Sequence, residues 1–446
     1  MFYYHSDGMI FFPWEFIILS SSNYSPFGRY QIVNVPVHDL RNTVRQIVDE
    51  TPVVDMHTHI YPPSFGPLLL WGIDELLSYH YLAAEIMRIA PVSPQEFWHM
   101  PKVKQADLIW EHLFVRRSPV SEACRGVLTC MNALGLDVSQ KNLNEAREFF
   151  RSRNVDDYTE LIFKKANVTY AVMTNDPFDP VERDHWLKGS PIPSRFKAVL
   201  RVDPLLLDWN QARDLLREQG YEVGGECGEA DLAVVRNFLM DWAERMKPIY
   251  LAVSLPPSFT FPGETPRTRV IQSAILPCAR ELNIPFAMMI GVKKLLNPAL
   301  QLAGDSVGRA DLSSVEHLCL NYPENRFLVT LLSRENQHEI CVIARKFSNL
   351  LPFGCWWFVN NPSIIEMITR QRFELLGLSF VPQHSDARVL DQLIYKWPHS
   401  RRIIAQVLAD KYEDVTRTGW PVTGKEIRRD VARLFSGNFE EFVGLR

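Results

Sequence analysis

The chain has 446 residues, 46% hydrophobic and 22% charged, with a formal net charge of −4. That length exceeds a minimal barrel domain of ~250 residues and supports a large buried core. The composition is ordinary for a globular protein, and no long run of one sign marks a surface for nucleic acid or anionic membrane, so neither is expected as a partner.

Seven cysteines, odd in number and without a Cys-x-x-Cys pair, fit free thiols in a reducing cytoplasm better than a disulfide framework. The apolar stretch Met9 to Leu19 lacks a basic flank, contains Pro13 and Glu15, and is too short to span a bilayer. Residues 1–38 are therefore expected to form an irregular leader, as an upstream start codon would produce, rather than an export signal. A short helix is expected from Asp39 to Glu50, followed by a buried strand beginning at Val53-Val54.

After His59 come Pro62, Pro63 and Gly66, and then helical periodicity, as in Asp74 to Leu82 and Asp107 to Leu113. This predicts a helical insertion over about residues 62–165. Beyond it, short apolar runs recur, each ending in polar or turn residues: Thr169 to Thr174, Phe196 to Leu200, Ile249 to Ser254, Phe286 to Ile290, Phe327 to Leu332, Phe353 to Phe358 and Leu378 to Pro382. Helical patterns, such as Ile340 to Phe347, separate them, and helices including Glu426 to Phe435 close the chain. With the first strand these make eight. Near-continuous apolar strands alternating with helices indicate a parallel sheet covered on both faces. The prediction is an α/β chain with a (β/α)8 TIM barrel over residues 39–446 and the helical insertion after its first strand. An open doubly wound sheet is the alternative, but no strand is followed by the Gly-x-Gly-x-x-Gly turn of a dinucleotide fold.

In a barrel, chemistry sits at the C-terminal strand ends. His57 and His59, two apart at the first, put both imidazoles on one face, a common pair of ligands for a divalent transition metal. Asp386, after the eighth, completes a two-histidine, one-carboxylate set with open positions, or acts as a base toward a held substrate. The competing reading is that Ser385-Asp386 caps the next helix. Arg201 and Arg388, at the third and eighth strand ends, are guanidinium forks suited to a carboxylated substrate, against a competing role in surface ion pairs. Arg334 is a further candidate of that kind. Tyr81, in the insertion beside His80, can relay a proton or bind a substrate hydroxyl, or simply pack. Trp356 and Trp357 are adjacent, so one can face the barrel interior while the other packs outward; Trp356 is the candidate for substrate binding, against core filling as the competing role for both.

Asp55-Met56-His57-Thr58-His59 on a first barrel strand, with a lone Asp386 after the eighth, resembles the amidohydrolase superfamily. Within it the chain is similar to the uronate isomerases, especially a Bacillus-type branch. The resemblance also rests on His80-Tyr81, Thr174 to Asp179, Arg201 to Pro204, Gly291 to Gly308, Trp356 to Phe358 and Ser385 to Arg388, and runs from about residue 40 to the C-terminus. It implies a barrel enzyme that interconverts D-glucuronate with D-fructuronate and D-galacturonate with D-tagaturonate, with one bound Zn2+. It further implies that His57, His59 and Asp386 face the metal. Arg201 and Arg388 would bind substrate, and Tyr81 would assist proton transfer. Moving a proton between C2 and C1 needs a base, for which Asp386 is the candidate, and stabilisation of an enediolate. The chain departs from the family at Met289-Ile290-Gly291, where many members carry His-Ile-Gly, which removes a metal ligand. Residues Tyr250 to Ser254 contain no lysine, so a carboxylated lysine bridging two metals is not expected. The alternatives are a mononuclear metal-dependent hydrolase or decarboxylase acting on another carboxylate, and a sugar-acid binding protein without catalysis. Self-association into a homo-oligomer is compatible with a barrel of this size.

Overall fold

The computed structural model describes residues 37–446. The leader expected over residues 1–38 falls, up to residue 36, outside the described residues. A helix at Val37–Glu50 leads into β1 (Val53–Thr58), all six of whose residues are buried. The barrel strands that follow are β2 (Val168–Met173), β3 (Phe196–Lys197, resuming at Leu200–Arg201), β4 (Leu251–Leu255), β5 (Phe286–Ile290), β6 (Phe327–Leu331) and β7 (Leu350–Pro352). Each pairs in parallel with the next in chain order.

An irregular segment over residues 381–387 forms the eighth stave. Val381 bridges to Phe353 on one side. On the other, Asp386 N–H donates to His57 O at 3.1 Å and His59 N–H to Ala387 O at 2.7 Å. These bonds close the ring, and the fold is the (β/α)8 barrel that the alternating runs predict.

The strands read as continuously apolar because both faces are covered. Ala287 and Met289 of β5 point into an inner cluster with Val54, Tyr170, Ala252 and Leu328. Phe286, Met288 and Ile290 of the same strand join the outer cluster beneath the helices. Each fully buried side chain of this size contributes roughly 1.5–3 kcal/mol of transfer free energy. Both layers together hold the strand ends rigid.

β1 breaks its own alternation. Asp55 pairs with Ala171 and Thr58 with Met173, so three steps on β1 match two on β2 and the register shifts between them. Such a bulge re-aims the side chains beyond it. Met56 lies in the inner cluster. His57, next in sequence, also points inward, its ring 6.4 Å from that of Phe353 in the same cluster. Asp55 faces the helices instead, accepting from Trp397 Nε1 at 2.8 Å. Unbroken alternation would have sent the histidines out with Asp55.

Helices between β1 and β2 form the insertion. The last, Val155–Ala166, is capped by the Asn154 side chain, which accepts from the amides of Asp156 and Asp157. It ends at Asn167 in the left-handed conformation, φ 53°, which turns the chain straight into β2. Buried Asp391, just past the eighth stave, accepts from Gly72 N at 2.8 Å and from the Tyr158 hydroxyl, tying the insertion to the barrel mouth. At the opposite end, Arg401 donates to Thr51 O at 2.7 Å and Asn167 O at 3.2 Å, stapling the approaches to β1 and β2.

The seventh strand differs from expectation. It is Leu350–Pro352, not Phe353 to Phe358. Gly354 at φ 62° and Trp357 at φ 44° end extended structure, and Trp357–Val359 form a short turn. The later run is apolar because Phe353 and Trp356 fill the inner cluster while Trp357 and Phe358 line the barrel mouth, which mimics a strand's composition. The expected helix over Asp74 to Leu82 likewise divides into Ile73–Leu77 and His80–Ile86, with Tyr79 extended between them.

Candidate active site

The two ends of the barrel seam meet at one point. His57 comes from β1 and His59 follows it, while Asp386 comes from the eighth stave. Their ligand atoms all lie within 4.8 Å of one another. Asp386 Oδ1 stands 3.4 Å from His59 Nε2 and 3.8 Å from His57 Nε2. Asp386 takes φ 51°, a left-handed conformation that aspartate adopts more readily than most residues.

Hydrogen-bond accounting gives both histidine tautomers. The Tyr250 hydroxyl donates its proton to Met56 O at 2.7 Å, so at 3.2 Å it accepts from His57 Nδ1–H. The Thr174 hydroxyl donates to Thr58 O at 3.0 Å, so at 2.8 Å it accepts from His59 Nδ1–H. A neutral imidazole with its proton on Nδ1 presents a lone pair at Nε2. Two lone pairs therefore face a carboxylate oxygen. His57 Nε2 and Asp386 Oδ1 are buried with no protein partner.

Burial lowers the His57 pKa to about 3, and His59 is likewise held well below its usual range, by burial and then by the charges of Arg388 and Arg201. Neutral imidazoles beside a carboxylate, fixed by oxygen partners on the far ring nitrogens, are the donor set a divalent cation requires. The residues fit a metal. Zinc suits two nitrogens and one oxygen with further positions left open. Met289, at the family's histidine position, is 2% exposed in the inner cluster and offers only a thioether.

The other predicted residues fall at different depths. Arg201 forms a two-pronged pair with Asp203, at 2.9 Å from Nε and 2.6 Å from the terminal nitrogen. Burial opposes its charge, but Asp203, with Asp176 and Tyr61 adding to it, outweighs burial and raises its pKa. Arg388 is half-buried, and its charge lowers the pKa of His59 and His80. The phenol of Tyr81 is kept protonated, its pKa raised well above the usual value by burial, then by Tyr79 and Asp386. Tyr81 and His80 line a cavity of about 260 Å³ with Trp357, Asn360 and Lys396. Trp357, not Trp356, faces this cavity, its ring 5.5 Å from His80. Trp356 is 4% exposed and packs in the inner cluster. Arg334 is exposed in the turn Arg334–Asn336 after β6.

Four polar residues at the site carried no sequence signal of their own. Tyr250 is a lone phenol opening an aliphatic run. Thr174 closes the second run, Lys396 is flanked by aromatic residues in a long helix, and His384 stands two before Asp386. His384 is fully buried with both ring nitrogens unpartnered, its ring 5.2 Å from His57.

Among solved structures, a uronate isomerase from Bacillus halodurans C-125 superposes with a TM-score of 0.91 and is 58% identical, over 92% of this chain and 97% of that one. The chain belongs to the uronate isomerase family. A uronate isomerase from Thermotoga maritima matches with a TM-score of 0.74 at 15% identity, over 94% of this chain and 100% of that one. A glucuronate isomerase from Caulobacter crescentus matches with a TM-score of 0.72 at 14% identity, over 95% and 97%. These two share the fold. No protein-family model and no curated protein matches the chain.

Proposed function

We propose that this uronate isomerase interconverts D-glucuronate with D-fructuronate and D-galacturonate with D-tagaturonate at a site holding one Zn2+. The observation that carries the reading is the convergence of two lone-pair nitrogens, His57 Nε2 and His59 Nε2, on Asp386 Oδ1 in a chain 58% identical to a uronate isomerase. His57, His59 and Asp386 hold the ion, which when bound polarises a substrate oxygen and offsets the charge developing there.

The remaining steps belong to the protein. Asp386 takes the proton from C2, exchanges it in part with solvent, and delivers a proton to C1. Tyr81, protonated at neutral pH, donates to O1 and recovers a proton as O2 becomes the carbonyl. Arg388, with no carboxylate paired to it in the hydrogen bonds of the described residues, receives the substrate carboxylate. Arg201, pinned by Asp203, presents its remaining N–H groups beside it, and Trp356 walls the floor. Water is excluded by the aromatic rim of Tyr79, Tyr81 and Trp357.

The test is incubation with each aldose uronate in D2O, with and without zinc, followed by proton NMR. Ketose is expected, with deuterium at C2 of recovered substrate and loss of turnover in Asp386→Asn. Failure to convert either sugar overturns the proposal. The seven buried, unpaired cysteines support a reducing compartment, and we place the enzyme in the cytoplasm. Among the described residues no helix is long and apolar enough to cross a membrane. Self-association remains part of the proposal, to be read by light scattering.

A further inference from the structure

The helix after the eighth stave, Leu393–Arg417, brings a cation into the barrel mouth. Lys396 is 3% exposed. Its Nζ donates to Ser385 O at 2.7 Å and to Asp386 O at 3.2 Å. The same ammonium stands 5.8 Å from the centroid of the Tyr81 ring and borders the cavity that Tyr81 lines. It feels the charges of Asp386 and Asp55 but takes backbone carbonyls as its hydrogen-bond partners.

This contact falls where the backbone is least comfortable. Asp386 sits at φ 51°, where an L side chain crowds its own backbone. Its N–H is tied to His57 O at 3.1 Å. Its carbonyl has Lys396 as partner, and the preceding carbonyl has Lys396 plus a longer bond of 3.4 Å from Asn360 Nδ2. With both sides of the residue pinned, the direction of its Cα–Cβ bond is fixed, and from there the carboxylate reaches toward the Nε2 atoms of His57 and His59. Without the ammonium, two carbonyls in a buried turn lose a charged donor and the left-handed turn loses its restraint.

We infer that Lys396 is a positioning residue, an ammonium clamp on the Ser385 and Asp386 carbonyls that aims the Asp386 carboxylate at the two imidazoles. It touches neither the metal ligands' donor atoms nor the reacting carbons, and acts through the backbone of Asp386. The inference rests on the metal-site reading above, but its primary test needs no sugar.

Zinc-free wild type, Lys396→Met and Lys396→Ala are titrated with zinc against a chromophoric chelator, with circular dichroism and thermal unfolding in parallel. Lys396→Met keeps the apolar stem and should fold, binding zinc about 10–100-fold more weakly, the range for loss of an outer partner of a metal ligand. Ethylammonium should restore most of that affinity to Lys396→Ala, while tetramethylammonium, a cation without N–H donors, should not. With zinc in excess, kcat of Lys396→Met for a uronate should fall with KM little changed, because the base is misaimed while the carboxylate contacts remain. Unchanged zinc affinity in Lys396→Met overturns the inference, as does a loss in Lys396→Ala that ethylammonium leaves unrepaired. If Lys396→Met fails to fold, Lys396→Ala refolded with ethylammonium decides, zinc binding that follows the amine supporting the clamp and binding indifferent to it overturning it. Wild type that binds zinc but converts no uronate removes the reaction and leaves the clamp to stand or fall on the zinc data. Wild type that binds no zinc overturns both metal site and clamp.

Discussion

Tyr250→Phe isolates the argument for the metal site in a single oxygen. The ring is fully buried, so phenylalanine keeps the packing and removes only the hydroxyl. That hydroxyl donates to Met56 O at 2.7 Å and accepts from His57 Nδ1 at 3.2 Å, and both groups lose this partner inside the barrel. One newly orphaned buried polar group costs about 1–3 kcal/mol, so the zinc-free protein should lose about 2 kcal/mol or more. The second effect is chemical. With Nδ1–H no longer held, His57 is free to exchange tautomers and to turn its ring, and Nε2 ceases to be a committed donor. Loss of such an outer partner weakens metal binding about 10–100-fold, or roughly 1.4–2.7 kcal/mol. Thr174→Val should do the same to His59 but less severely, because the His59 side chain is 21% exposed and water can replace the hydroxyl. The assay is zinc competition against a chelator at neutral pH, with thermal unfolding of the zinc-free proteins alongside. A Tyr250→Phe protein that is less stable yet binds zinc as tightly as wild type would refute the tautomer argument, and with it the role of His57 Nε2.

Gly354→Ala should destabilise by about 3 kcal/mol or more, because the backbone is at φ 62° and a Cβ would stand 1.7 Å from His384 Nδ1; unchanged melting would mean that the His384 ring is free to move. Acid should unfold the zinc-free enzyme early. An unfolded imidazole binds a proton near its usual 6.5, whereas buried His57 resists until about 3, so the unfolded state holds more protons between those values. Stability is then fully present above about pH 6.5 and lost as pH falls toward 3, by at most ~5 kcal/mol from His57 alone, with His59 and His384 acting in the same direction. Melting temperatures of zinc-free protein that stay flat from pH 8 to 4 would contradict this. Arg388→Met should raise KM for a uronate at least about tenfold with kcat nearly preserved, as expected for loss of a charged hydrogen bond worth roughly 1.5–3 kcal/mol; a fall in kcat at constant KM would move Arg388 from binding to chemistry.

The barrel was legible because its two signals are local. A strand buried on both faces must be apolar along its length, and a polar residue closing it must lie at an end. That logic placed β2, β5 and β6 to within a residue or two. It failed at β7, where the run past Pro352 is apolar for a different reason: Phe353 and Trp356 fill the inner cluster and Trp357 and Phe358 line the mouth, and only the positive φ angles of Gly354 and Trp357 separate that loop from a strand. Pattern reading also has no access to the bulge in β1. Two residues apart on one face is a correct statement about His57 and His59, but which face they take depends on the register of β1 against β2, set by a pairing more than a hundred residues away in sequence.

The same division runs through the site. Histidine and aspartate announce themselves because few side chains do their chemistry, and their spacing along strand ends limits where they can meet. Tyr250, Thr174 and Lys396 announce nothing. A phenol, a hydroxyl and an ammonium are common in any chain, and each acquires its role only from the atoms it reaches in the fold: His57 Nδ1 and Met56 O, His59 Nδ1 and Thr58 O, and the carbonyls of Ser385 and Asp386. Yet these three decide whether the lone pairs and the carboxylate point at a common centre. Replacing one ligand removes a donor atom, whereas replacing one of these supports leaves every ligand in place and misdirects it. The two kinds of variant should therefore separate experimentally. Ligand losses should abolish zinc binding, and support losses should weaken it by a measurable factor that a small molecule of the right chemistry can restore.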